Sequence, residues 1–126
     1  MALSITTDYA ADTGDPSPWL KLIGEHGFSH VHWCHHWNTD FLYGRQEITQ
    51  IARWLKAYGL RLLDLHGSTG REKNWASAKA YERAAGVALV RNRLEMTARL
   101  GGGVVIMHVP PDATNPALRR SLGELE

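Results

Sequence analysis

The chain has 126 residues, of which 44% are hydrophobic and 21% charged, so its size and composition are those of a globular domain rather than a disordered segment. Its 14 basic and 13 acidic residues are interspersed and give a formal charge of +1, which argues against a surface built to bind nucleic acid or an anionic membrane. No apolar run approaches the roughly 20 residues that cross a membrane, the first residues do not resemble a secretion signal, and the lone Cys34 excludes an internal disulfide, so we expect a cytoplasmic protein.

The first predicted unit is a strand followed by a helix. Residues 3–8 are short and rich in β-branched side chains, which favours a strand, and the polar stretch 10–15 predicts a loop. Asp15-Pro16 is typical of a helix start, with a capping oxygen before a proline. The apolar residues that follow recur at helical spacing, and His26-Gly27 predicts the end of this helix.

Two further strands are predicted, near 28–33 and 60–66. Between them, apolar residues from Ile48 to Tyr58 recur at helical spacing and stop at Gly59, which predicts a one-sided helix. The polar stretch 67–75 after the third strand is long for a connection in such a protein. It is therefore a candidate for function.

The last predicted unit combines a long helix with a fourth strand. The helix is expected from Ser77, a plausible N-terminal cap, to Leu100, and the three glycines after it indicate its stop rather than a phosphate-binding loop. The strand near 103–109 is apolar until its histidine, which predicts burial on both faces. Pro110-Pro111 should end it, and Pro116 opens a fourth helix that is truncated at the end of the chain.

Strands that alternate with helices predict an α/β protein with a parallel sheet. Two architectures fit this order. One is a small open sheet with helices on both faces, and the other is a (βα)4 unit, the first half of a TIM-type barrel, which normally needs about 250 residues. In either case we expect residues 1–126 to form one unit.

Two of the predicted strands end on histidine, at Leu60–Gly67 and at Gly103–Pro111. Ligands of parallel α/β proteins bind at the carboxyl ends of the strands, so we expect His66 and His108 to face a ligand. Asp64 should share the side of His66 and is a candidate to orient its imidazole, although a structural hydrogen bond is an equal alternative. Further candidates to contact substrate, from the loops after the second and third strands, are His35, His36, Trp37 and Trp75.

A zinc site made of the histidines between positions 30 and 36 is disfavoured, because no second cysteine or nearby pair of carboxylates completes a tetrahedral set. Trp33 and Trp54 lie within periodic elements and are expected in the core. Cys34 has no evident base beside it. The residues therefore assign no catalytic group.

Four segments together resemble the xylose-isomerase-like barrels, a superfamily that includes sugar phosphate isomerases and epimerases and the endonuclease IV group. They are Val31–Trp37 after the second strand, Leu63–Gly67 at the end of the third, Met96–Gly101 at the end of the long helix, and Val104–His108 in the fourth strand. The resemblance covers nearly the whole chain but only the first half of the superfamily's barrel.

This resemblance implies a site for a divalent metal (Mn, Mg, Co or Zn) and a small sugar or sugar phosphate. His66 and His108 match the strand-end histidines that are ligands in the endonuclease group and often substrate contacts in the sugar enzymes. In this superfamily the remaining ligands, including the proton-transferring carboxylates, come from the fifth strand onward. The resemblance thus implies the N-terminal part of a metal-dependent isomerase or epimerase of carbohydrate metabolism, inactive by itself.

Two alternatives stay open at this stage. Four parallel strands leave two unpaired edges, so the chain could instead be a half-barrel that self-associates, for example as a homodimer, without catalysis. A fragment of an endonuclease IV-like enzyme acting on abasic DNA is disfavoured by the near-neutral charge, because phosphate contacts need clustered lysine and arginine.

Overall fold

The computed structural model describes residues 2–8, 14–68, 70, 72–110 and 113–126. Over these residues four strands alternate with four helices, as the sequence predicts. The predicted loop residues 10–13 and Pro111, expected to end the fourth strand, lie outside the described residues. The elements are β1 (Ser4–Thr6), α1 (Ser17–Glu25), β2 (His30–Trp33), α2 (Arg45–Ala57), β3 (Arg61–His66), α3 (Ala80–Arg99), β4 (Val105–Ile106) and α4 (Asn115–Leu125).

The strands form one parallel sheet in the order β1-β2-β3-β4, which confirms the predicted α/β class. The register between β2 and β3 shifts between Val31 and His32. Because of this irregularity, Leu63 has no partner in β2 and His32 lies beside Asp64. The shift matters for the candidate site, since it decides which side chains of the two strands are neighbours.

The helices pack on one face of the sheet. Val31, Leu62 and Leu65 point to that face and are at most 5% exposed. The alternate residues on the other face, such as His32 and His66, stay half-buried. In a TIM-type barrel the helices cover only the outer face of the sheet, as they do here. The structure therefore excludes the open sheet with helices on both faces. The helix residues in the same apolar cluster are Leu20, Ile23, Ile48, Ile51, Leu55 and Met96.

Most predicted helix ends are confirmed. Gly27, Gly59 and Gly101 follow three of the helices with φ values of +83°, +69° and +79°, in the left-handed region that suits glycine. The predicted start of α1 is wrong by one residue, since the helix begins at Ser17 with Pro16 at the N-cap position and no side-chain cap. The Asp15 carboxylate still accepts a hydrogen bond from the Ser17 N–H at 2.9 Å. Among the described residues, no helix combines the length and apolarity that a membrane crossing requires.

The predicted start of α3 at Ser77 is wrong, since the helix begins at Ala80. The Ser77 hydroxyl accepts from the Lys79 N–H at 3.1 Å and donates to the Glu82 carboxylate at 2.7 Å. These bonds stabilise the turn that precedes the helix. The Ser77 side chain therefore stabilises the turn before α3 instead of capping the helix.

The expected burial of the fourth strand on both faces is also wrong. The ladder of β4 is limited to Val105 and Ile106, and Val104, Ile106 and Val109 are 55%, 40% and 63% exposed. The physical reason is position: β4 is an edge strand of the described sheet, so no neighbouring strand lies on one of its sides.

Candidate functional site

The two strand-end histidines lie against each other. His66 is the last residue of β3, and His108 follows β4 by two residues, on the same face of the sheet. Their Nε2 atoms are 3.1 Å apart and their ring centroids 4.9 Å apart. We call His66 and His108 the histidine pair. The sequence correctly predicts that both reach the same edge of the sheet, while their role in ligand binding remains a prediction.

The hydrogen bonds of the pair fix where its protons lie. His66 Nδ1 is 2.8 Å from the Gly67 carbonyl oxygen, which can only accept, so Nδ1 carries the proton. In the neutral ring Nε2 then has a free lone pair, and His108 must be the donor between the two Nε2 atoms. Burial lowers the pKa of His66 and the neighbouring His108 and His32 act in the same direction, whereas the Gly67 carbonyl raises it. The net lowering favours the neutral ring, which is the form that binds metals.

Side chains of Met107 and Val105 lie close to Gly67. A Cβ atom at this position would lie 1.9 Å from Met107 Sδ and 3.0 Å from Val105 Cγ1. A larger residue at position 67 would therefore require these two side chains to move.

A second pair, His32 and Asp64, lies next to the histidine pair. His32 Nδ1 is 2.6 Å from Asp64 Oδ1, across β2 and β3, and the His32 ring packs edge-on against His66 with centroids 5.9 Å apart. The hypothesis that Asp64 directly orients His66 is therefore wrong, because its partner is His32. Sequence reasoning missed His32 as a site residue, since only the register shift places it beside Asp64.

Trp37 covers the histidine pair. Its ring centroid is 4.6 Å from that of His66 and 6.2 Å from that of His108. The loop that carries it is held by its own backbone, where the Trp37 N–H donates to the Cys34 carbonyl at 3.0 Å. The Ser68 hydroxyl also donates to the Thr39 carbonyl at 2.6 Å and ties this loop to the one after β3. Trp37 thus lies beside the histidine pair, while its contact with a substrate remains a prediction.

His35 and His36 lie in a different environment. Together with Trp33, Phe41 and Tyr43 they line a cavity on the side of the sheet that the helices cover. The His36 ring stacks on Phe41 with centroids 4.5 Å apart. Their predicted contact with a ligand therefore concerns this second location rather than the histidine pair.

Trp75 does not join the histidine pair either. It is 5% exposed, its carbonyl accepts a hydrogen bond from the Ser121 hydroxyl, and it packs against Gly86 of α3. Its neighbours along a surface cavity include Leu94 and Leu122, from α3 and α4. The expectation that Trp75 contacts substrate receives no support from this interior position.

The histidine pair fits part of a metal shell. Two nitrogen ligands at roughly 2.1 Å from one ion are about 3.0 Å apart in octahedral and about 3.4 Å apart in tetrahedral geometry. The separation of 3.1 Å between the two Nε2 atoms lies in this range. The described residues contain no group of three or more His, Cys, Asp or Glu side chains placed to hold a metal ion. Any further ligands would have to come from elsewhere.

Comparison with known proteins places this geometry on a recognised fold. No family model matches the chain. An uncharacterized protein of Sinorhizobium fredii (strain NBRC 101917 / NGR234), y4fM, is 29% identical over an alignment that covers 79% of this chain and 37% of that protein.

Solved structures of similar fold are larger barrels. A D-psicose 3-epimerase determined in the presence of D-fructose has a TM-score of 0.67 and 22% identity, and the match covers 98% of this chain and 45% of that one. A xylose isomerase domain protein from Alicyclobacillus acidocaldarius subsp. acidocaldarius has a TM-score of 0.64 and 17% identity, and the match covers 99% of this chain and 46% of that one. A family 2 AP endonuclease from Brucella melitensis has a TM-score of 0.58 and 16% identity, and the match covers 99% of this chain and 48% of that one. The chain therefore has the parallel α/β fold of part of a TIM-type barrel and spans less than half the length of each of these proteins.

Acidification is expected to destabilise the metal-free protein. The pKa values of His66 and His36 are both lowered, mainly by burial, so the unfolded chain takes up protons first as the pH falls below about 6.5. The free energy of unfolding, measured by urea titration in the presence of a chelator, should therefore decrease between pH 7 and pH 5. His66→Gln should flatten this dependence. A slope that His66→Gln does not alter would contradict the assignment.

Proposed function

We propose that these 126 residues are the N-terminal half of a (βα)8 enzyme that binds a divalent metal and isomerises or epimerises a small sugar or sugar phosphate. The observation that carries the proposal is the contact between His66 Nε2 and His108 Nε2 at the carboxyl ends of adjacent strands. The larger barrels of similar fold, two of which are named as a sugar epimerase and a xylose isomerase domain protein, support it.

In this proposal His66 and His108 hold one side of the metal. The bound ion would polarise a carbonyl of the sugar. His66 is prepared for this role, because its Nδ1–H donates to the Gly67 carbonyl and its Nε2 lone pair is left for a ligand. To bind through Nε2, His108 must carry its single proton on Nδ1 instead. Protonation of either imidazole competes with the metal, so metal binding should weaken as the pH falls.

The neighbouring side chains would position the sugar. Asp64 fixes the His32 ring through Nδ1, which leaves His32 Nε2 to bond a hydroxyl at the open face of the sheet. Trp37 offers a ring against which the apolar face of a sugar can pack. The carboxylates that would move the proton are proposed to come from later strands, so the 126 residues alone should not catalyse the reaction.

Cobalt titration tests the metal proposal. Two imidazole ligands should give a saturable change in the Co²⁺ absorption spectrum, and His66→Ala or His108→Ala should weaken binding at least about tenfold. His30→Ala is the matched control, since it removes a half-buried histidine from the same face of the sheet. Equal affinity in the two pair variants and the parent chain would contradict the assignment of the histidine pair.

The exposed apolar edge at β4 supports a second candidate, a half-barrel that self-associates as a homodimer. Val104 and Val109 are more than half exposed, and β1 is the opposite edge, so two copies could join β4 of one to β1 of the other. Light scattering during size-exclusion chromatography should then give a dimer that Val104→Lys converts to a monomer. A monomeric parent chain would contradict this candidate.

We propose a cytoplasmic location, on the ground of the lone, buried Cys34.

Action on abasic DNA is the less favoured activity despite the similarity to the AP endonuclease fold, because the formal charge is only +1.

A further inference from the structure

A second concave site lies on the side of the sheet that the helices cover. We call it the helix-side cleft, a cavity of about 280 Å³ between the loop after β2 and the first turns of α2. Trp33, from the helix-facing side of β2, and Trp54 of α2 are on its walls. Because the cleft is on the covered side of the sheet, further strands at the edge of β4 would leave it intact. Its other aromatic and polar walls include His36, Phe41, Tyr43 and Gln50.

The aromatic walls are held in fixed positions. Trp33 Nε1 donates to the Tyr43 hydroxyl at 3.1 Å, and that hydroxyl donates to the His35 carbonyl at 2.7 Å. Asn92 of α3 bonds both the N–H and the carbonyl of Tyr43, each at 2.9 Å. The Phe41 and Tyr43 rings meet edge to face at 82°, so they form two walls rather than one stack. A cavity fixed in this way binds without the entropic cost of ordering its walls.

His36 adopts a backbone conformation that a histidine rarely takes. Its φ of 58° lies in the left-handed region, which costs free energy in a residue with a Cβ atom. The Thr39 hydroxyl donates to the His36 carbonyl at 3.0 Å and helps to hold it. The conformation places the imidazole on the wall of the cleft, stacked on Phe41.

The charges around the cleft favour an uncharged ligand. Among the described residues that line it, Glu47 alone carries a formal charge, and its carboxylate accepts the Gly44 N–H at 2.6 Å. No described lysine or arginine lines the cleft to receive a phosphate. Burial and the nearby Arg93 guanidinium lower the pKa of His36, although Glu47 opposes them, so the imidazole on the wall favours its neutral form.

Several polar groups on the walls are already bonded within the protein, since the Tyr43 hydroxyl pairs with Trp33 and the His35 carbonyl, and the Glu47 carboxylate accepts from Gly44. A sugar would have most of its hydroxyls removed from water without partners, at about 1–3 kcal/mol for each unsatisfied group. One aromatic ring suits the surface better, and a cavity of about 150 Å³ is enough to take up benzene. The larger volume leaves room for a substituent that His36 or Gln50 can hydrogen-bond.

We propose that the helix-side cleft binds a small uncharged aromatic compound with one hydrogen-bonding substituent, of which phenol is the simplest probe. This site is distinct from the histidine pair in position and in ligand chemistry. The proposal does not depend on the metal or on the proposed enzyme activity.

The test is a titration of the whole chain with phenol, followed by two-dimensional NMR of the tryptophan indole N–H groups. The Trp33 and Trp54 signals should shift and saturate with a Kd at or below about 10 mM, while the Trp75 signal stays in place. Phenyl phosphate and D-fructose at the same concentrations should give no saturable shift of these signals.

Variants identify the walls. Trp54→Leu should weaken phenol binding at least about tenfold and Gln50→Leu several-fold, while Trp19→Leu, at a tryptophan of α1 that is 38% exposed, should change it less than about twofold. Circular dichroism checks that each variant folds. If Trp54→Leu does not fold, the variants of the polar walls test the proposal instead. The proposal is overturned if phenol leaves the Trp33 and Trp54 signals unchanged, if the sugar or the phosphate binds equally well, or if Gln50→Leu and His36→Leu both bind phenol like the parent chain.

Discussion

Replacing Arg93 by alanine is expected to lower the free energy of unfolding by about 3–5 kcal/mol. Arg93 is 1% exposed, although it is charged, and it lies on α3 beneath the loop that follows β2. Its guanidinium donates to the Phe41 carbonyl at 2.8 Å and to Asn92 Oδ1 at 2.7 Å, and it lies 4.7 Å from the centre of the Tyr43 ring. Alanine would leave a cavity and an unsatisfied buried carbonyl.

Methionine at position 93 is the matched control for volume. Because Arg93→Met fills the space but cannot donate, it should lower the free energy of unfolding by only about 1–3 kcal/mol. Urea denaturation followed by circular dichroism measures both variants. If both unfold within about 0.5 kcal/mol of the parent chain, Arg93 does not anchor the loop as the structure indicates.

Gly86→Ala is expected to destabilise the protein by about 2 kcal/mol or more, although alanine is the better helix former. A Cβ atom at this position in α3 would lie 2.1 Å from the Trp75 backbone nitrogen. That neighbour is backbone and cannot rotate away, so α3 or the segment around Trp75 must move. The Ser121 hydroxyl, which donates to the Trp75 carbonyl, would be displaced with it.

Gly123→Ala provides the matched control in another helix. Gly123 lies in α4, and nothing is found within 4 Å of its ideal Cβ position. The same substitution should therefore leave stability unchanged or raise it by about 0.5–1 kcal/mol. Thermal unfolding of the two variants separates the steric effect from helix propensity. Similar changes in Tm for both would show that the contact between α3 and Trp75 is not tight.

Local sequence signals predict much of this fold. Glycines at 27, 59 and 101 mark helix ends because the left-handed conformation depends on the residue itself. Ser77 shows the limit, since its hydroxyl engages Glu82 and the helix starts three residues later. The start of the helix therefore depends on where the Glu82 side chain lies, which the local sequence pattern does not predict.

The candidate site was predicted in part for a similar reason. The positions of His66 and His108 follow from two strands that end at the same edge of a parallel sheet. The pairing of His32 with Asp64 depends on one register shift between strands, which no single strand encodes. The position of Trp75 in the long loop after the third strand predicts a functional role, whereas packing against Gly86 buries this residue.

A crystal of the whole chain grown with Co²⁺ tests most directly whether His66 and His108 form one side of a metal site. The anomalous difference map should show one cobalt peak about 2.1 Å from both Nε2 atoms, with Trp37 beside it. A peak at other histidines only, or no peak at the histidine pair at saturating Co²⁺, would contradict the claim.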